Sequence, residues 1–149
     1  MSESIVVGTD GSKTAHRAVL QAVRLAKALG AQLHLVTAIK PLQSSYATVP
    51  PEAGALIWAQ MPESEAQPIV MRAADMVREA GVSVHTYVHH SDPCDALIDV
   101  AKRVGATTIV VGDRGMSGAR RLLGSVPNRV SHAAPCNVLI VSTGRPSSA

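Results

Sequence analysis

The chain has 149 residues, 46% of them hydrophobic and 17% charged, with a formal net charge of +3. A chain of this length is expected to form one domain, 1–149, and buries roughly two-thirds of its unfolded surface; its composition excludes an intrinsically disordered protein. The mild positive charge admits anionic ligands. With Trp58, Tyr46 and Tyr87 as the whole aromatic complement and no Phe, it supports neither a base-stacking platform nor a nucleic-acid partner.

The N-terminal segment MSESIVVGTDGS carries no apolar stretch behind a basic one, and no apolar run approaches the ~18 residues of a membrane span. A soluble, cytoplasmic protein with no membrane partner is therefore expected. Cys94 and Cys136 match no metal spacing and read as two thiols in a reducing compartment.

Along the chain, short β-branched runs alternate with amphipathic segments, the pattern of βαβ units and a parallel sheet. Ser4 to Thr9 reads as a buried first strand. Asp10-Gly11-Ser12 turns the chain, and Ser12 caps a helix from Lys13 to Leu29 whose apolar residues Ala15, Ala18, Val19, Ala22, Ala26 and Leu29 recur at helical spacing. Gly30 ends that helix. Gln32 to Ile39 is a second strand. The segment from Lys40 to about Gln60 contains Pro41, Pro50, Pro51 and Gly54 without a clean period and reads as an irregular loop or flap.

A second helix is expected from about Pro68 to Ala80, the proline sitting in its first turn; a longer helix kinked at Pro68 is the alternative. Val82 to Val88 alternates Val82, Val84, Thr86 and Val88 against Ser83, His85 and Tyr87, a strand less buried on one face. Asp92-Pro93-Cys94-Asp95 supplies a cap, a first-turn proline and an acid for a helix ending at Gly105. Thr107 to Val111 is a fourth strand, Val126 to Ala134 a short helix stopped by Pro135, and Cys136 to Ser142 the last strand. These elements predict an α/β fold: an open, mostly parallel five-stranded, Rossmann-like sheet with helices on both faces.

Ligands of such sheets bind beyond the carboxyl ends of the strands, where strand order reverses. Two segments supply chemistry there. One is Gly8-Thr9-Asp10-Gly11-Ser12, after the first strand. The other runs from Gly112-Asp113-Arg114-Gly115-Met116-Ser117-Gly118 to Gly124-Ser125, after the fourth. Glycines let backbone N–H groups approach a phosphate, and Ser125 opens a helix whose N-terminus favours an anion. Arg114, Arg120, Arg121 and Arg129 add positive charge. The loop lacks the Gly-Lys-Ser/Thr ending of a Walker A sequence, and its place after the fourth strand is wrong for the dinucleotide fingerprint.

The opening Thr9-Asp10-Gly11-Ser12, with the block Val110-Val111-Gly112-x-x-Gly115 … Leu122-Leu123-Gly124-Ser125-Val126 … Ala134-Pro135-Cys136-Asn137-Val138-Leu139-Ile140-Val141, resembles the universal stress protein family. The resemblance covers the chain apart from 40–60. It implies an adenine-nucleotide-binding stress-response protein with at most weak hydrolytic activity. Nucleotide-binding members carry Gly-x2-Gly-x9-Gly-Ser/Thr, which binds ATP. By that resemblance Gly112, Gly115, Gly124 and Ser125 would hold phosphate and ribose, and Asp10 the ribose or, as the one metal ligand, a phosphate-bound Mg²⁺. Val36 would line the adenine pocket, with Gly8, Thr9, Val111 and Val126 as flanking contacts. The chain departs from the pattern in one respect: eight residues, Met116 to Leu123, separate Gly115 from Gly124. A shift of up to ~3 Å in the following amides gives AMP or cyclic AMP weight beside ATP, while Gly118 offers a place to absorb it.

Other features point to less. Adjacent histidines in a strand, such as His89-His90, face opposite ways; His16, His34, His85 and His132 have no ligand spacing, and no nucleophile motif or general base is evident. The resemblance further implies a homodimer through the last strand, Asn137 to Val141, which would cover an apolar edge. A module of the same fold that binds no nucleotide, and an enzyme of the related adenine-binding superfamily, are the competing readings.

Overall fold

Strand and helix alternate from the first described residue to the last in the computed structural model, which describes residues 2–39, 63–113 and 125–142. The elements are β1 (Ser4–Gly8), α1 (Lys13–Leu29), β2 (Gln32–Ala38), α2 (Glu63–Glu79), β3 (Val84–His89), α3 (Pro93–Val104), β4 (Thr108–Gly112), α4 (Ser125–Ala133) and β5 (Asn137–Val141). The five strands form one sheet in the order β3-β2-β1-β4-β5, every neighbouring pair parallel. This is the expected open α/β sheet. The expected loop at 40–60 and the glycines Gly115, Gly118 and Gly124 lie outside the described residues.

Alternation along the strands sorts the core into two layers. Ile5 and Val7 of β1, Leu33 and Leu35 of β2 and Val110 of β4 pack with Ala18, Val19, Ala22 and Ala26 of α1 and Val70, Ala74 and Val77 of α2. Val6, Val36, Ile109 and Val111, from the opposite face, pack with Cys94, Leu97, Val100 and Ala101 of α3 and Val130 of α4. Helices therefore cover both faces, two on each. The central strand β1 is buried from Ser4 to Val7, as a strand flanked on both edges and both faces must be.

The helix ends follow their capping chemistry. The Ser12 hydroxyl accepts from the Ala15 N–H at 3.1 Å, and the Asp92 carboxylate accepts from the Cys94 N–H at 2.9 Å; α1 and α3 end at Gly30 and Gly105 in the left-handed conformation. Two boundaries differ from expectation. Helix α2 starts at Glu63, so Pro68 lies inside it rather than at its first turn. Ala66 is fully buried, four residues before Val70, so the inward stripe runs a turn further upstream and packing outweighs the hydrogen bond that the proline lacks. Strand β3 begins at Val84 because Val82 closes α2 instead, donating its N–H to the Val77 carbonyl at 3.2 Å.

Candidate functional site

Strand order reverses between β1 and β4: the chain proceeds from β1 outward to β2 and β3, then returns to place β4 on the other side of β1. The crevice such a reversal leaves lies at the carboxyl ends of β1 and β4. Gly8 ends β1 and Gly112 ends β4.

The loop after β1 is held from two directions. The Thr9 N–H donates to the Val36 carbonyl at 2.9 Å, and the Thr37 hydroxyl donates to the Thr9 carbonyl, also at 2.9 Å. Both bonds tie residue 9 to the end of β2. Within the loop, the Gly11 N–H donates to Thr9 Oγ1 at 3.2 Å and the Ser12 N–H to Asp10 Oδ1 at 2.9 Å. Thr9 is buried, whereas Asp10 is exposed. The Asp10 carboxylate thus shapes an Asx turn with one oxygen while standing in solvent.

Two glycines in this segment have steric reasons to be glycine. Gly11 has φ +82, which L side chains rarely adopt, and a Cβ there would lie 3.3 Å from Ile69 Cγ2 of α2. A Cβ on Gly8 would lie 3.3 Å from Leu97 Cδ2 of α3. The loop is therefore wedged between a helix of each layer.

On the β4 side, Val111 is buried, and the Asp113 N–H donates to the Val141 carbonyl at 2.8 Å, extending the β4–β5 ladder by one residue. Val36, Val111 and Val126 meet in the apolar layer under α3 and α4. Val36 is only 2% exposed, so its side chain belongs to that core and its carbonyl faces Thr9. Ser125 is the first residue of α4, whose unpaired N–H groups make a positive end. Of the ten residues named from the sequence, Gly8, Thr9, Asp10, Val36, Val111, Gly112, Ser125 and Val126 belong to the strand ends, the loop and the helix start just described. Gly115 and Gly124 lie outside the described residues.

Arg129, expected as positive charge near the loop, is paired with carboxylates at the start of α3. Its Nη1 donates to Asp92 Oδ1 at 2.8 Å, and its Nη2 lies 3.8 Å from Asp95 Oδ1. Its charge is engaged at the start of α3 instead of being held for a phosphate, and the Asp92 hydrogen bond, the largest cause, raises its pKa further. Among the described residues, Asp92, Cys94 and Asp95 bring three potential metal-ligand atoms within 4.8 Å of one another. The guanidinium already occupies the carboxylate side of that group, and burial pushes the Cys94 thiol up, disfavouring the thiolate a metal needs. His89 Nδ1 lies 3.7 Å from Asp99, and His90 stands beyond the end of β3.

Sequence spacing also hid an imidazole cluster on β2 and β3. His34 is 4% exposed; its Nδ1 shares a hydrogen bond with the Tyr87 hydroxyl at 2.9 Å, and its ring stacks on His85 with centroids 5.0 Å apart. His34 Nε2 is buried without a partner. Burial first, then the adjacent His85, lower the His34 pKa from 6.5 to about 4.

The described helices include none long and apolar enough to cross a membrane. Residues 1–142 match the model of the universal stress protein family. The chain is 36% identical over 145 residues to universal stress protein Rv1636 of Mycobacterium tuberculosis, covering 95% of this chain and 97% of that protein. It is 31% identical over 140 residues to universal stress protein MJ0531 of Methanocaldococcus jannaschii, covering 93% and 81%. Among solved structures, it superposes on a universal stress protein in complex with cAMP with TM-score 0.70 and 35% identity, covering 96% of this chain and 98% of that one. UspA from Lactobacillus plantarum shares the fold with TM-score 0.74 at 24% identity, covering 93% and 97%. The chain belongs to the universal stress protein family.

Proposed function

We propose that this protein binds an adenine nucleotide at the carboxyl ends of β1 and β4, as a single-domain, cytoplasmic module of residues 1–149. The observation that carries the reading is the pairing of a rigid Gly8–Ser12 loop with the start of α4 across the strand-order reversal, in a chain 35% identical to a protein solved with cAMP. In this reading the loop backbone cradles the sugar and phosphate, and the amides of Gly112, Gly115, Gly124 and Ser125 meet phosphate oxygens. The backbone of Val36 and Val111 and the partly exposed Val126 flank the base.

The loop of eight residues between Gly115 and Gly124, and the cyclic nucleotide in that relative, favour cyclic AMP or AMP; the family's Gly-x2-Gly-x9-Gly-Ser/Thr pattern favours ATP. Asp10 is one exposed carboxylate with one oxygen already in a turn. It fits Mg²⁺ only as an auxiliary ligand to an ion held mainly by phosphate oxygens and water. The free thiols Cys94 and Cys136 agree with a reducing compartment. The half-exposed edge strand β5, with Leu139 40% exposed, supports a homodimer paired through Asn137 to Val141.

The test is calorimetric titration of the purified protein with cyclic AMP, AMP and ATP, with and without Mg²⁺, beside the Gly115→Val variant. Saturable binding to the wild type that Gly115→Val loses, with circular dichroism unchanged, supports the reading. Equal affinity in the two proteins removes the phosphate loop from it.

A further inference from the structure

We propose that Arg129 is a positioning residue: by bridging Asp92 and Asp95 at the start of α3, it sets the orientation of the α4 N-terminus that meets the nucleotide's phosphate. The proposal rests on the nucleotide site above and specifies how one wall of it is held.

Helix α4 is short, Ser125–Ala133, and follows directly on the glycine loop. Two kinds of contact can fix its direction. One is apolar: Val130 is fully buried in the layer shared with α3, and Val126 packs against that layer. Pro127 is buried beside them, so these non-directional contacts seat one side of the helix on the layer without fixing the direction of its first turn by any oriented bond. The other contact is polar and directional. Arg129 lies one turn beyond Ser125, so the two share a face of the helix. Its guanidinium donates to Asp92 Oδ1 at 2.8 Å and reaches Asp95 Oδ1 at 3.8 Å. The planar fork sets the direction of each bond as well as its distance.

The anchor on α3 is itself ordered. Asp92 Oδ1 accepts from the Cys94 N–H at 2.9 Å as the helix cap, and Asp92 is half-buried. A rolled α4 would break the Arg129 bond and aim the free N–H groups of Ser125 and Val126 elsewhere, Pro127 having none. Anion binding at a helix start depends on that aim, because the dipole and the free N–H groups act within the first turn. The same bridge separates this role from direct phosphate binding. A guanidinium held by two carboxylates contributes little net positive charge to a ligand.

The experiment is a double-mutant cycle read by nucleotide affinity, at a temperature where every variant is fully folded. Asp92→Ser keeps a helix cap but is too short to reach Arg129. Positioning predicts that Arg129→Ala weakens cyclic AMP or ATP by about fivefold and Asp92→Ser by about two- to threefold, as for a partly exposed ion pair. The double variant should be no weaker than Arg129→Ala, and Arg129→Lys, which keeps the charge but not the planar fork, should recover only a part of the loss. In the absence of nucleotide, amide exchange at 129–132, the N–H groups bonded within α4, should rise in both single variants and stay unchanged in α1. An affinity in Asp92→Ser equal to or tighter than wild type would overturn the proposal, because it would mean that freeing Arg129 helps the phosphate directly. Increased exchange without any change of affinity would overturn it too. Absence of saturable binding in the wild type would instead sink the nucleotide site itself.

Discussion

His34 makes this fold acid-sensitive in a window that its own burial defines. In the folded chain its pKa is lowered to about 4, by desolvation and by His85 stacked on it. In the unfolded chain it titrates near 6.5. Between those values the unfolded state binds more protons than the folded one, so stability rises with pH and is lost as pH falls from about 6.5 toward 4. At ~1.4 kcal/mol per unit, the whole shift is worth about 3 kcal/mol. About 2 kcal/mol of it should already be gone between pH 7 and pH 5, a large part of the net stability of a small domain. The charged groups facing the cluster do not cancel this cost: Asp99 and Arg103 of α3 pair with each other at 3.4 Å, and Asp99 lies 3.7 Å from His89. The assay is urea unfolding across that range for wild type and His34→Gln, whose amide can still meet the Tyr87 hydroxyl. Wild type should lose about 2 kcal/mol more than the variant on acidification, with the His34 ring still neutral at pH 5 by NMR. Parallel losses in the two proteins would refute the assignment.

Three further outcomes follow from the site loop and the sheet edge. Gly11→Ala should lower stability by about 1–2 kcal/mol in urea unfolding, because it places an L side chain at positive φ. Asp10→Asn, which retains an acceptor for the Ser12 N–H, should weaken ATP only when Mg²⁺ is present, whereas Asp10→Ala should weaken it in both conditions by calorimetry. Leu139→Glu on the β5 edge should abolish the proposed pairing through Asn137 to Val141, read as a lower mass in sedimentation than wild type, with the circular dichroism of the fold intact.

The sheet and its helices were legible wherever local chemistry decides. Helix α1 runs from Lys13 to Leu29 as read from Ser12 and Gly30, since a cap and a left-handed stop are both set within a few residues. Pro68 misled because a proline suits a first turn, and only the burial of Ala66 shows that the helix began earlier. What the sequence could not display were partners distant in the chain. Arg129 and Asp92 are 37 residues apart, so the arginine looked like spare charge beside a phosphate loop. His34 and Tyr87 are 53 residues apart; register places Tyr87 opposite Val36, two residues along β2, which turns scattered histidines into a cluster. The Thr37-to-Thr9 bond likewise depends on β2 lying against β1. The glycine pattern after β4 carried the family resemblance, and the match over residues 1–142 agrees with it.

The most direct test of nucleotide binding at the strand-order reversal is an amide NMR titration of the full chain with cyclic AMP, with cyclic GMP as control. Saturable shifts confined to residues 8–12, 36–38, 111–113, 125, 126 and 128, larger for the adenine nucleotide, are the predicted result. Saturable shifts elsewhere on the sheet, or none at millimolar ligand, would contradict it.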